Sequence, residues 1–272
     1  MKTKILKISI VGKTNAGKST LINSLVGELV SITNKKINTT EDLITGVQNI
    51  NKNQLIFFDT PGLHFIKEIK KNKNKLKINL WEGLNLSDII LYIIDSKTYK
   101  FEDLKFYINK ISELKKKISI VFNKSDLINK NKILPEIVKI DKLKKIDSFF
   151  LISAKKKIGL KNIQKYLLKN SYESKWIYKE NEISNKDEIF LTNECTRNAL
   201  LTAIHKEIPY NIKINNKTFK FLKNGDLKIK QEIEIYNSRY KKIILGKKGT
   251  KIKDIREKSQ NEIAKILKVR VH

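Results

Sequence analysis

Lys4-Ile5-Leu6-Lys7-Ile8-Ser9-Ile10-Val11, running straight into Gly12-Lys13-Thr14-Asn15-Ala16-Gly17-Lys18-Ser19, is the stretch from which the rest of the chain can be read. Its first half is short and rich in β-branched residues, and residues 18–27 after it are helical in pattern. The join is therefore a strand, a glycine-punctuated loop and a helix, and the loop matches the phosphate-binding pattern G-x-x-x-x-G-K-[ST] in the required place. Glycine lets the backbone wrap a phosphate closely, and loop amides plus the helix N-terminus face the anion. We expect Gly12, Asn15, Ala16, Gly17, Lys18, Ser19 and Thr20 to line a polyphosphate, with Lys18 neutralising the β/γ-phosphates and the Ser19 hydroxyl ligating Mg²⁺.

Working outward, apolar β-type runs follow at 55–58, 89–94, 118–122 and 149–152, separated by helix-length stretches. This alternation predicts an α/β domain, a mainly parallel sheet with helices on both faces. The Lys- and Asn-rich segments 67–79 and 129–132 read as surface loops.

The phosphate loop does not separate ATP from GTP, but Asn123-Lys124-Ser125-Asp126, directly after the strand 118–122, does. The Asp126 carboxylate can accept from guanine N1–H and N2–H₂, a donor pair adenine lacks. Asn123 would brace the loop and the Lys124 stem would lie over the base. As a lone tetrapeptide in a chain this rich in Lys and Asn the motif is weak; its order after a phosphate loop on a parallel sheet gives it weight. Ser153-Ala154-Lys155, after the next strand, fits a loop whose backbone N–H meets guanine O6. Asp59-Thr60-Pro61-Gly62 ends another strand: Asp59 would hold Mg²⁺ through water and the Gly62 N–H would sense the γ-phosphate. Between lies Asn38-Thr39-Thr40, whose Thr40 is the candidate for completing the metal shell, although a Thr pair also serves as turn or cap. Lys18, Thr40 and Gly62 are thus the expected catalytic positions, and release of Thr40 and Gly62 on loss of the γ-phosphate would make an order–disorder switch. Leu63 stands where a Ras-like switch carries a water-orienting glutamine, which implies slow intrinsic hydrolysis, a water positioned by backbone or solvent, and acceleration by a partner. Asn15 can either help hold a monovalent cation such as K⁺ or brace the loop.

A second domain begins beyond a polar boundary at 171–185; the division expected is a nucleotide-binding domain over 1–172, a linker over 173–186 and a smaller α+β domain over 187–272. There, 187–204 is helical in pattern, 210–214, 218–222 and 227–236 are strand-like, and an amphipathic helix is expected over 250–267. Gly246-Lys247-Lys248-Gly249 matches the G-x-x-G loop of a type II KH module, though a helix–turn–helix corner reads the same way. Local charge favours the KH reading: residues 239–258 hold nine cations against Asp254 and Glu257. Gly246, Lys247, Lys248, Gly249, Lys251 and Lys253 are the expected RNA-contacting residues.

The whole-chain net charge of +29 over 272 residues says less than that cluster. It is spread evenly, +19 over 1–178 and +10 over 179–272, and only four of 57 cations are Arg, so much of it is a lysine bias. Cys195 is the single cysteine, which excludes an intrachain disulfide and suits a reducing compartment; His64, His205 and His272 stand apart from other soft ligands. No apolar run approaches a membrane span, the longest being 89–94, and the N-terminus alternates Lys with aliphatics, so a cytoplasmic protein is expected.

Taken together these residues resemble the Era family of GTPases from about Lys4 to Leu267. Ser31-Ile32-Thr33, Glu194 with Arg197, and Glu207-Ile208-Pro209-Tyr210 are further signatures. The resemblance implies GTP and GDP as ligands, binding to the 3′ end of small-subunit ribosomal RNA, assistance in maturing that subunit, peripheral inner-membrane contact in some members, and no stable oligomer. Three departures stand out: Thr14 in place of the usual Pro, Glu41 after Thr40 where Arg is common, and Arg256 where Gly is frequent. The sequence also closes at Val269-Arg270-Val271-His272, so a shortened final KH strand is expected. A nucleotide-sensing RNA scaffold with an idle G domain, and a G protein docked on anionic lipid, are the readings that compete.

Overall fold

The computed structural model describes residues 2–27, 43–66, 74–129, 131, 133–180, 182, 184, 188–204, 212–235 and 238–272. The chain divides into two compact units, Met1–Asn185 and Lys186–His272.

The first unit is an α/β sandwich built from β1 (Lys4–Val11), α1 (Lys18–Val26), β2 (Ile44–Ile50), β3 (Asn53–Asp59), α2 (Asn74–Leu86), β4 (Ile89–Asp95), α3 (Phe101–Ser112), β5 (Lys117–Asn123), α4 (Ile133–Asp141), β6 (Ser148–Leu151), α5 (Leu160–Lys169) and β7 (Tyr172–Glu173). Strand order is β2-β3-β1-β4-β5-β6, with β7 beside β1. β1 pairs parallel with β3 and β4, and β4–β5 and β5–β6 are parallel; only β2 and β7 run antiparallel to their neighbours. Strands covered on both faces read as continuous apolar runs, and Ile89–Ile94 is buried throughout. One face buries Leu80, Leu84, Leu104, Ile108, Ile111, Ile133 and Ile140 of α2, α3 and α4 against Ile90, Tyr92, Ile118 and Ile120; the other is covered by α1 and α5 through Leu21, Leu25, Ile163 and Leu167. The parallel crossovers thus put the strand C-termini, where ligands bind in such sheets, at one edge.

Two readings of the sequence are corrected here. The segment expected as a loop to residue 79 is helical from Asn74: Leu80 and Leu84, one turn apart, are fully buried, and that burial outweighs the Lys and Asn between them. The helix end is held by Lys116, whose ammonium donates to the carbonyls of Leu84, Asn85 and Ser87 at 2.5–2.6 Å. The sheet also gains β2, an edge strand whose Thr-Gly-Val-Gln-Asn centre carries no apolar run to announce it.

The segment leaving this unit is fastened back onto it. Buried Gln54 accepts from the amides of Ile177 and Tyr178 (2.9 and 3.0 Å) and donates to the Tyr178 carbonyl (2.9 Å), so its side-chain amide replaces a strand partner. Trp176 Nε1 donates to Lys52 O and Asn49 Nδ2 to Glu180 O.

The second unit contains α6 (Glu188–Ala203), β8 (Ile212–Phe221), β9 (Leu227–Ile235), α7 (Arg239–Leu245) and α8 (Thr250–Leu267). The two strands expected over 210–214 and 218–222 are a single strand, β8, with an irregularity between Asn216 and Thr218 that carries the pairing past Lys217. After α8, residues 270–272 return beside β9: Val271 lies opposite Leu227 in parallel sense, with Leu227 N donating to Arg270 O and His272 N to Leu227 O, both 2.8 Å. Ala199, Leu200, Ile204, Ile212, Ile214, Ile244 and Ile255 form the core. Cys195 is fully buried on α6. Glu194 pairs with Arg197 at 3.1 Å.

Candidate functional site

The phosphate loop leaves β1 at buried Val11 and enters α1 at Lys18. Glycine is required twice: a Cβ on Gly12 would strike the Ile93 carbonyl, and one on Gly17, at φ +101°, would strike the Asn123 amide. Asn15, at φ 64°, turns the exposed tip. Inside the loop Lys18 Nζ donates to Gly12 O (3.3 Å) and Lys13 O (3.2 Å). Burial pushes its ammonium below the ordinary range, with Asp59 pulling the other way. A cation held at a cost in desolvation among carbonyls is poised for an anion. Ser19 Oγ donates to Asp59 Oδ2 at 2.6 Å, and Asp59 is fully buried at the end of β3. A hydroxyl and a carboxylate, all oxygen and close together beside a phosphate loop, fit a hard dication such as Mg²⁺ and not a soft metal. Thr20 lies half-buried in the first turn of α1.

Thr60 Oγ1 donates to Ile10 O (2.9 Å) and the Leu63 amide to Gly12 O (3.1 Å), so the Asp59–Gly62 stretch is hung from the phosphate loop. The Leu63 side chain is fully buried in the apolar core, turned away from any water it could orient. His64 Nδ1 lies 3.3 Å from Thr14 Oγ1, and a Cβ on Gly62 would meet both residues within 3 Å.

At the neighbouring strand end, Asn123 joins three segments. Its Nδ2 donates to Ala16 O (2.8 Å) while its Oδ1 accepts from the Ala154 amide (2.9 Å), stapling the phosphate loop to the Ser153–Lys155 loop. Lys124, at φ 61°, reaches Asp95 Oδ2 at 2.6 Å. The Asp126 carboxyl is held below the usual carboxylate range chiefly by a hydrogen bond from Ser153, with Lys156 Nζ 3.5 Å away adding to the effect. Ser24 Oγ holds the Ala154 carbonyl from α1 (2.9 Å), and Lys155 is exposed. The Ala154 amide of this loop is donated to Asn123 Oδ1.

In the second unit Gly246 (φ +71°), Lys248 (φ +50°) and Gly249 (φ +77°) form a left-handed turn between α7 and α8. A Cβ on Gly246 would sit 2.6 Å from Lys251 Cβ, whereas one on Gly249 would meet nothing within 4 Å, so that side of the turn is open. Lys247, Lys248 and Lys253 are exposed and Lys251 is half-buried against Gly246.

A family model described as a 50S ribosome-binding GTPase matches residues 7–124, and a KH-domain model matches 207–272. The GTPase Era of Ehrlichia canis is 35% identical over 264 residues, 97% of this chain and 88% of the relative. The chain belongs to the Era family of GTPases. A crystal structure of Era in complex with MgGDPNP and nucleotides 1506–1542 of 16S ribosomal RNA superposes with a TM-score of 0.89 at 33% identity, covering 99% of this chain and 91% of that one. The structure of a single-residue variant of Aquifex aeolicus Era bound to GDP and aluminium fluoride gives the same TM-score and identity, covering 100% and 92%.

Several residues expected to mark an Era protein lie outside the described residues: Thr40 with the Asn38-Thr39 before it, Ser31-Ile32-Thr33, Glu41 and Glu207-Ile208-Pro209-Tyr210. Others went unread in the sequence. Asp95 and Ser96 brace Lys124 and the Asn123 carbonyl (2.6 Å each), and nothing local in their sequence signals it. Ile243 and Leu245 stand 42% and 39% exposed beside the Era G-x-x-G turn, an apolar surface hidden in a run that reads as core.

Proposed function

We propose that this chain is a guanine-nucleotide switch that binds and slowly hydrolyses GTP, engages the 3′ region of small-subunit ribosomal RNA through its KH unit, and assists assembly of the small ribosomal subunit. The observation that carries the nucleotide reading is the Asn123 staple, which fixes the distance between a phosphate loop and a base-selecting carboxylate. In this reading Asp126 takes the guanine N1–H and N2–H₂, Lys124 lies along the base, and a backbone N–H of the Ser153–Lys155 loop meets O6. Gly12, Asn15, Ala16, Gly17 and Thr20 frame the phosphates and Lys18 neutralises their charge. Ser19 and Asp59, joined by Thr40 in the GTP state, would hold Mg²⁺, which would supply charge neutralisation for the phosphates. The Gly62 amide senses the γ-phosphate. With Leu63 buried, the attacking water is left to backbone and solvent, which supports a slow intrinsic rate. Asn15 at the loop tip is assigned a contact to K⁺. On the RNA side Gly246 and Gly249 admit the backbone, and Lys247, Lys248, Lys251 and Lys253 meet its phosphates. The solved Era complex with a 16S ribosomal RNA fragment supports the choice of RNA. The chain acts as a monomer.

Multiple-turnover phosphate release is the test, run in potassium and in sodium buffer, with and without an RNA of the 1506–1542 sequence. Turnover that the RNA stimulates is expected; retention of GTP without turnover would return the chain to an RNA scaffold. Equal rates in the two buffers would remove the potassium assignment.

A further inference from the structure

The face of the β8–β9 ladder turned away from the helices is divided by charge. β9 places Lys228, Lys230, Glu232 and Glu234 on it, and the pairing register sets Lys220, Thr218, Asn215 and Lys213 opposite them in turn. Towards the open end of the ladder the charges are matched: Lys217 Nζ meets Glu232 at 2.8 Å, and Asn215 Nδ2 donates to Glu234 at 2.6 Å. Towards the 222–226 turn they are not. Lys220 and Lys228 are direct cross-strand partners, Lys230 follows two residues on, all three are exposed, and among the described residues none is in an ion pair. Like charges directly opposite each other destabilise a sheet, so this end of the hairpin is held at a cost that an anion laid across it would relieve.

We propose that Lys220, Lys228 and Lys230 form a second RNA-backbone contact, distinct from the G-x-x-G turn; the proposal rests on the RNA-binding reading above. The other face of the same ladder carries Ile212, Ile214, Ile233 and Ile235, packed in the core with Ile244 of α7 and Ile255 of α8. The G-x-x-G turn therefore belongs to the helical layer and the three lysines to the opposite side of the sheet. One RNA touching both must pass round the sheet edge, so the lysine contact serves only RNA longer than the four or so nucleotides a KH turn clamps. A narrow polyanion fits better than a lipid surface. The face offers no aliphatic or aromatic side chain to enter a bilayer, and Glu232 and Glu234 on the same face would repel an extended anionic sheet.

The test compares wild-type chain with Lys220→Glu/Lys228→Glu/Lys230→Glu, and with the milder triple Gln variant, on two probes: the 37-nucleotide RNA of the 1506–1542 sequence and a piece of about five nucleotides that wild-type protein binds. Loss on the long RNA of roughly 10-fold or more, with a log–log salt slope shallower by roughly 2 and unchanged affinity for the short piece, is the expected result. Lys213→Glu on the matched half is the control, expected to leave both affinities unchanged. Lys228→Glu alone, which converts the repelling pair with Lys220 into an attracting one, is expected to raise Tm while weakening the long RNA, an outcome a structural role would not give. Equal losses on both probes, no loss on the long RNA, or a loss seen only with phosphatidylserine vesicles would each overturn the proposal. Wild-type protein that binds neither RNA would remove the RNA-binding reading itself.

Discussion

The role proposed for Asp126 rests on where Asn123 puts it. Asn123, at the end of the preceding strand, is tied to both flanking loops, and Ser153 and Lys156 favour the charged form of the Asp126 carboxylate. Asp126→Asn is expected to exchange guanine for xanthine preference, by roughly 10³-fold or more, since the amide can donate to the xanthine 2-oxo group; fluorescent-nucleotide titration with both bases checks it, and unchanged GTP affinity would refute the assignment. The sign of the pH effect follows from the lowered pKa. The charged form persists below the point where an ordinary carboxylate, near pH 4, takes up its proton, and is lost only as pH falls through the lower folded value. GTP affinity titrated through the region near pH 4 should therefore fall at a lower pH than an ordinary carboxylate would allow. These positions could be proposed from the sequence because their motifs are short and local. Asp95 and Ser96 could not, since a bracing carboxylate and hydroxyl after a strand look like any turn.

At the scale of elements, the parallel strands and the helices that open on Gly17, Gly159 and Gly249 were legible because their apolar runs and left-handed caps are local signals. α2 was hidden because what makes it a helix is burial of Leu80 and Leu84 against strands far away in sequence, and β2 because an edge strand needs only half an apolar face. The same local logic makes the G-x-x-G turn testable. An aspartate at Gly249 meets no neighbour, and Asp is among the few residues that tolerate a positive φ. Gly249→Asp is thus expected to leave α8 intact while placing a carboxylate among Lys247, Lys248 and the incoming phosphates. RNA affinity should fall roughly 10- to 100-fold with GDP affinity unchanged, by paired RNA and nucleotide titrations; an unaffected RNA dissociation constant would remove the KH reading. Gly246→Ala, whose Cβ meets Lys251 Cβ at 2.6 Å, should instead distort the turn.

For the whole molecule, two units joined by a polar segment were expected, but not the way in which the segment from Trp176 to Glu180 is tied down. Gln54 reads as one polar residue near a strand start; its role appears only when Ile177 and Tyr178 come to lie against it. Gln54→Leu keeps the volume and leaves two amides and a carbonyl unanswered, a local penalty of about 1–3 kcal/mol. Hydrogen exchange of the Ile177 and Tyr178 amides is expected to quicken about 10- to 100-fold, while β1 and α1 keep their protection; equal rates in both proteins would show the tie to be idle. Cys195 has a consequence of its own. It is the sole thiol of the chain, it has no surface exposure, and burial pushes its pKa up. A soluble disulfide reagent can reach it only while the KH unit is transiently open, so the colour that reagent releases is a clock for that unit alone, running inside the intact protein with no label added and no tryptophan signal to disentangle.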